Sequence, residues 1–170
     1  AEDENGDELV YRLEIRAEGE QNWKLLKDQL KEDHYSWDST AFADGKYQIR
    51  VVASDLPDNS PADALEDVMV SPWFLIDNTP PEITTLSAER EGSNLRFHFQ
   101  AKDALNIVRR AEYAIDGGDW TLILPVNGFS DGRELSYEVV IPNLAPGEHT
   151  LAVRVTDEFD NARLVRTVVE

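Results

Sequence analysis

The sequence predicts an all-β chain of two tandem antiparallel β-sandwiches, the first lacking its N-terminal strands, and three observations predict it. Apolar and polar residues alternate over strand-length runs. Turn residues break those runs at a spacing of about ten residues. One half of the chain also repeats the other, as Gly45 to Asn59 (GKYQIRVVASDLPDN) lies without a gap over Gly147 to Asn161 (GEHTLAVRVTDEFDN).

The repeat sets the domain organisation. Gly45/Gly147, Val51/Val153, Asp55/Asp157, Asp58/Asp160 and Asn59/Asn161 are identical, and the match extends upstream through Tyr35 over Tyr137, Trp37 over Val139 and Phe42 over Leu144. Between the copies lies Asp77-Asn78-Thr79-Pro80-Pro81, a short stiff linker, because two prolines remove two amide donors and hold their neighbours extended. The expected domains are residues 1–78, an incomplete sandwich, and 79–170, a complete one.

In the second copy Leu95, Phe97, Phe99 and Ala101 face one way and Arg96, His98, Gln100 and Lys102 the other, which describes a half-buried antiparallel strand. Tyr113 and Ile115 run into Asp116-Gly117-Gly118-Asp119, a tight hairpin turn that returns through Trp120, Leu122 and Leu124. Tyr137, Val139 and Ile141 form the next inward row, which Pro142 stops. His149, Leu151, Val153 and Val155 form another, with Thr150, Ala152, Arg154 and Thr156 facing out. The one helical candidate is Lys24 to Asp33, where Leu25, Leu26 and Leu30 suit a turn or two.

In the first copy the alignment begins late. Ala1-Glu2-Asp3 lies over Ala101-Lys102-Asp103, and Leu13 and Ile15 lie over Tyr113 and Ile115, so residues 81–100 have no counterpart. The inward rows Tyr11, Leu13, Ile15 and Tyr35, Trp37 are therefore expected to be less covered than their equivalents, with an open edge that invites strand addition or self-association. The chain starts at Ala1 with no apolar leader, which reads as a processing boundary of a larger protein.

Composition narrows the partners. The 170 residues carry 34 acidic and 16 basic side chains, a net charge of −18, which would repel a phosphate backbone and disfavours an anionic bilayer surface. Nucleic acid and membrane insertion are not expected, since the apolar runs are strand-length. The absence of cysteine removes disulfides and thiolate chemistry.

No enzyme is expected. His34, His98 and His149 lie in three different elements, and no nucleophile elbow, His-Glu-x-x-His or phosphate-cradling loop occurs. Calcium is the sharper hypothesis, because Asp55, Asp58 and Asn59 in one copy and Asp157, Asp160 and Asn161 in the other place oxygen ligands in short loops. The alternative is that these side chains bond their own backbone amides, as Asp and Asn do in turns. Asp3, Asn5 and Asp7 form a further acidic loop of the second kind. Among the tryptophans, Trp23, Trp37 and Trp120 are expected to pack, and Trp73 is the candidate sugar-stacking platform.

Leu144-Ala145-Pro146-Gly147 before an alternating strand, matched by Phe42-Ala43-Asp44-Gly45 with Tyr47 as a corner tyrosine, resembles the corner of fibronectin type III and bacterial immunoglobulin-like domains. The Asp-Asn-Thr-Pro-Pro linker and the Thr-Asp-x-x-Asp-Asn ending are similar to those of tandem domains in exported bacterial proteins, often beside β-propeller repeats. The resemblance implies a non-catalytic spacer or protein-interaction module, secreted, periplasmic or at the cell surface. Its partner would be another protein or neighbouring domains of the same polypeptide. A carbohydrate-binding module is the alternative, and a calcium-stabilised adhesion-type module the third reading.

Overall fold

Alternating residues become strands at nearly every place where the pattern predicts them. The computed structural model describes residues 8–170, which divide into one compact unit ending at Ile76 and a second running Asp77–Glu170. Among the described residues the only helical element is a 3₁₀ turn, Ser39–Ala41, capped by the Asp38 carboxylate on the Thr40 amide.

The first unit contains β1 (Val10–Ala17), β2 (Lys24–Leu30), β3 (Gly45–Ser54), β4 (Glu66–Val70) and β5 (Phe74–Ile76). They form one antiparallel sheet in the order β2-β1-β3-β4, with β5 also on β3. β4 and β5 occupy one edge of β3 and are separated at Pro72, which has no amide to give to a ladder. The register Leu13↔Val51 and Ile15↔Ile49 puts Tyr11, Leu13, Ile15, Tyr47, Ile49 and Val51 on one face. The opposite face holds Glu14, Arg50, Arg16 and Gln48, linked by Arg50–Glu14 and Arg16–Gln48 contacts.

Two expectations for this unit fail. Lys24 to Leu30 is strand rather than helix, because pairing to β1 (Ile15↔Lys24, Leu13↔Lys27) closes a hairpin that a two-turn helix could not match. The expected poorer cover of the inward rows fails at Leu13 and Ile15, which are buried where Tyr113 and Ile115 are only partly so, and holds at Tyr11 and Tyr35, half-buried where Ala111 and Tyr137 are buried. Ile15 is covered by Tyr47 and Ile76, with Leu26, Phe42 and Phe74 packed around them. The core of the first unit thus gathers at one end of the sheet.

The second unit contains β6 (Glu82–Glu91), β7 (Asn94–Lys102), β8 (Val108–Ile115), β9 (Thr121–Ile123), β10 (Glu134–Ile141), β11 (His149–Asp157) and β12 (Ala162–Val169). A three-stranded sheet, β10-β7-β6, and a four-stranded sheet, β12-β11-β8-β9, both contribute to one core. Phe97, Phe99 and Tyr137 come from the first sheet and Leu151, Val153 and Val155 from the second, all of them essentially buried. Phe99 and Tyr137 stack with centroids 4.6 Å apart, and burial pushes the Tyr137 hydroxyl up to about 12.

The hairpin return differs from the expected parity. Ala111 pairs with Ile123 and Glu112 with Leu122, so Ile123 enters the core while Leu122 and Leu124 stay exposed. The turn leaves Trp120 outside the strand, shifting the inward row by one residue. Thr156, expected to face out, is buried beside the loop that follows β11.

At the corner before the penultimate strand the two copies use different side chains for one bond. The Tyr47 hydroxyl donates to the Ala43 carbonyl at 2.7 Å, and His149 Nε2 reaches the equivalent Ala145 carbonyl at 2.8 Å. Arg90 binds the Leu144 and Gly147 carbonyls and fixes the same turn. His149 Nδ1 also lies 2.5 Å from Asp116 Oδ2, so the imidazolium can donate from both nitrogens. That carboxylate first, and the Ala145 carbonyl second, raise His149 above its usual value of 6.5, against repulsion from Arg90. The same contact lowers Asp116 below 3.8.

A raised histidine adds stability that is complete below its unfolded value and disappears as pH climbs through the folded one. The lowered Asp116 contribution is present above its unfolded value and is lost in acid. The melting temperature of the second unit should therefore fall as pH rises above about 6.5, and His149→Gln should flatten that decline. An unchanged decline in the variant would place its source elsewhere.

Candidate functional site

The end of β11 brings together carboxylates that are far apart in sequence. β11 delivers Asp157, the end of β7 delivers Asp103, and the segment entering β6 delivers Asp77; each side chain is buried, and one oxygen of each lies within 4.8 Å of the others. Asp157 Oδ1 accepts the Phe159 and Asn161 amides at 2.8 and 2.9 Å. Asp103 Oδ1 accepts the Leu105 and Asn106 amides at 2.9 and 2.8 Å. The Asn106 side chain donates to Asp77 Oδ2, and Asn161 Nδ2 donates to Asp157 Oδ2 at 2.8 Å and to the Asp77 carbonyl at 2.9 Å.

These amide donors are neutral. Among the described residues neither Asp103 nor Asp157 forms an ion pair, and the set holds three formal negative charges in a buried place. Burying a carboxylate is tolerated when it is paired or bound to a metal. Three oxygens from three carboxylates are the hard donor type that Ca²⁺ takes.

The predicted calcium residues divide between two outcomes. Asp157 and Asn161 sit in this cluster. Asp160, at φ 65°, turns outward to Arg109 at 3.3 Å. In the first copy Asp55 Oδ1 accepts the Leu65 amide at 2.8 Å, Asn59 Nδ2 donates to the Asp55 carbonyl, and Asp58 takes the Glu8 amide. That is the turn-bonding arrangement, and no second acidic ligand group forms there among the described residues. Asp3, the position aligned with Asp103, and with it Asn5 and Asp7, lie outside the described residues. Sequence reasoning misses Asp77 and Asp103, because one stands in a linker and the other at a strand end.

A second site lies on the first unit. The apolar face of its sheet ends in a groove of about 330 Å³ lined by Tyr11, Leu13, Ile49, Val51, Tyr35 and Trp37, with Glu32 and Asp33 at its rim. Ile49 and Val51 are half-buried, whereas Leu151 and Val153, their repeat equivalents, are completely buried. Tyr35 and Trp37 carry the alternation of a strand, yet residues 31–38 form no ladder. In the second unit the equivalent strand, β10, is held by β7, and among the described residues of the first unit nothing pairs with this segment.

Of the tryptophans expected to pack, Trp23 is half-buried, Trp120 is exposed, and Trp37 is half-buried and lines the groove. Arg16 and Arg50 lie over Trp23 at 4.5 and 4.9 Å, and Arg154 lies over Trp120 at 4.2 Å. Trp73 is exposed, with Arg16 5.8 Å from its ring centre. The histidines do not converge: His34 meets only Asp33 on the surface, and His149 serves the corner.

Strand order β10-β7-β6 facing β12-β11-β8-β9 makes the second unit a fibronectin type III-like sandwich, and the β2-β1-β3-β4 order of the first unit repeats the larger of its two sheets. No family model and no curated relative matches the chain. Among solved structures it is similar to dimeric latent PorU from Porphyromonas gingivalis, at 20% identity and a TM-score of 0.48 over 98% of this chain and 20% of that one. It is also similar to fibronectin(III)-like modules of Clostridium thermocellum CbhA, at 19% identity and a TM-score of 0.42 over 94% of this chain and 77% of that one. Chicken CNTN1 FN1–FN3 domains match at 14% identity and a TM-score of 0.38, over 97% of this chain and 56% of that one. The chain spans about a fifth of the length of the PorU structure. Among the described residues no helix is long and apolar enough to cross a membrane.

Proposed function

We propose that the chain is a non-catalytic module of an exported protein, in which the second unit is a closed spacer and the first unit binds a protein partner. The observation that carries this reading is the open apolar groove at Ile49, Val51, Tyr35 and Trp37, a face that the second unit buries completely at the equivalent positions Leu151 and Val153. A concave, mostly apolar lining of half-buried side chains is the form that binding sites take. A glycan array tests it against the carbohydrate alternative, and no saturable binding is expected. Saturable binding of a polysaccharide, lost in Trp73→Ala, would replace it with a carbohydrate-binding module.

A second reading is favoured by the three buried carboxylates of Asp77, Asp103 and Asp157, which support a calcium ion as a staple of the second unit. The ion would tie the segment entering β6 to the ends of β7 and β11. Its role would be stability, as none of the three carboxylates is exposed to a substrate.

A further inference from the structure

We infer that the outer face of the β12-β11-β8-β9 sheet docks an extended segment of a partner polypeptide, one that presents an aromatic side chain and, two residues along, a carboxylate. The inference goes beyond the reading of the first unit as protein-binding, because its site lies wholly on the second.

A trough of about 580 Å³ crosses this face. The register aligns Ala114, Ala152 and Arg166 on three neighbouring strands, and Trp120, immediately ahead of β9, stands at the other end of the row. Two side chains that stop at Cβ make a flat apolar floor, with an indole for one wall and a guanidinium for the other. An aromatic ring laid on such a floor meets the indole in the offset or edge-to-face arrangements that aromatic pairs prefer.

The internal repeat shows that the trough belongs to the second copy and is not a property of the sheet. In the first unit Glu14↔Arg50 holds the place of Ala114↔Ala152, and Trp23 precedes β2 as Trp120 precedes β9. There Arg50 Nε donates to Glu14 Oε2 at 2.5 Å, and Arg16 and Arg50 cover Trp23 at 4.5 and 4.9 Å, so the chain's own side chains fill the row. Trp120 keeps a single guanidinium, that of Arg154 at 4.2 Å, and the row beside it is open.

Charge and spacing select the occupant. Arg154 and Arg110 share Glu112, and the Asp116 carboxylate is taken up by His149 and the Thr150 amide. Among the described residues the Arg166 guanidinium makes neither an ion pair nor a hydrogen bond, which leaves an uncompensated positive charge on the trough. A carboxylate is the group that a free guanidinium fork recognises. The net −18 of the chain does not cancel this local preference, since charges beyond about 8 Å are screened at physiological ionic strength. The midline between the two alanines lies one and a half strand spacings from β12, about 7 Å, and side chains two apart on an extended segment are separated by about the same distance.

The test titrates the whole isotope-labelled chain with the peptide acetyl-GYGEG-amide and reads two-dimensional NMR spectra. The Trp120 indole signal and the Ala114 and Ala152 amides are expected to shift saturably by about 5 mM peptide. Replacing the peptide's glutamate by glutamine should weaken binding about fivefold. Arg166→Gln, at an exposed position, should weaken binding of the glutamate peptide by the same factor, abolish discrimination between the two peptides and leave the melting temperature unchanged. Ala152→Arg, which restores the residue that fills the row in the first unit, should remove the shifts altogether. Absence of saturable shifts in the unsubstituted chain would overturn the inference, as would undiminished discrimination in Arg166→Gln. A neutral oligosaccharide that moves the same signals with equal affinity in Arg166→Gln would give the trough to a sugar instead. Failure of the peptide leaves the reading of the first unit standing, since no residue of that unit takes part.

Discussion

Val153→Ala should destabilise the second unit by about 2–3 kcal/mol, the transfer of two methyl groups plus the cavity they leave, whereas Val51→Ala should cost less than half as much. The two valines hold the same register position in the repeat, facing Tyr113 and Leu13 respectively across β11–β8 and β3–β1. Val153 is completely buried in a core roofed by Phe97 and Phe99, while Val51 lines the open groove. Phe97→Ala should be more severe, at about 3–5 kcal/mol. Denaturant unfolding, with the two units followed separately by hydrogen exchange, measures the difference. Equal costs for the two valine substitutions would mean that the groove face is already covered in solution.

Calcium should raise the melting temperature of the second unit and leave the first unchanged. A ligand that binds only the folded state contributes about 2.7 kcal/mol at a concentration of 100 times its dissociation constant. Loop sites on extracellular modules bind in the range of about 0.1–1 mM, so a titration to about 10 mM against a chelator is sufficient. Asp103→Asn should abolish the response while keeping an acceptor for the Leu105 and Asn106 amides. Asp157→Ala should destabilise even with chelator present, by about 2–4 kcal/mol, because the Phe159 and Asn161 amides lose their acceptor. Asp55→Ala, which frees only the Leu65 amide, should cost about 1 kcal/mol. A melting temperature that is the same with calcium and chelator would remove the ion, leaving the carboxylates as turn caps.

The core of the second unit is legible in the amino-acid order itself, since period-two alternation in residues 95–102 and 149–155 names Phe97, Phe99, Leu151, Val153 and Val155 directly. The internal repeat also pairs the two corners, and there Tyr47 and His149 make the same bond to equivalent carbonyls. The parity of β9 is not legible in that way, because the turn length decides it and one residue outside the ladder exchanges Ile123 for Leu122. Nor is β2, whose leucines fit a helix until β1 is present to pair with.

The functional residues divide along the same line. Alternation, turn chemistry and the internal repeat are local properties of the chain, so they determine strands, their inward rows, the two-copy organisation and the loops that carry Asp157 and Asn161. The meeting of Asp157 with Asp77 and Asp103 depends on strands β7 and β11 and the segment entering β6 ending at one place, across separations of 54 and 80 residues. Tyr35 and Trp37 carry the alternation of a strand but do not become one, because a ladder needs hydrogen-bond partners and the described residues provide none beside them. A pattern of side chains specifies which face would be buried; only the arrangement of other strands around it decides whether that face is closed or left open.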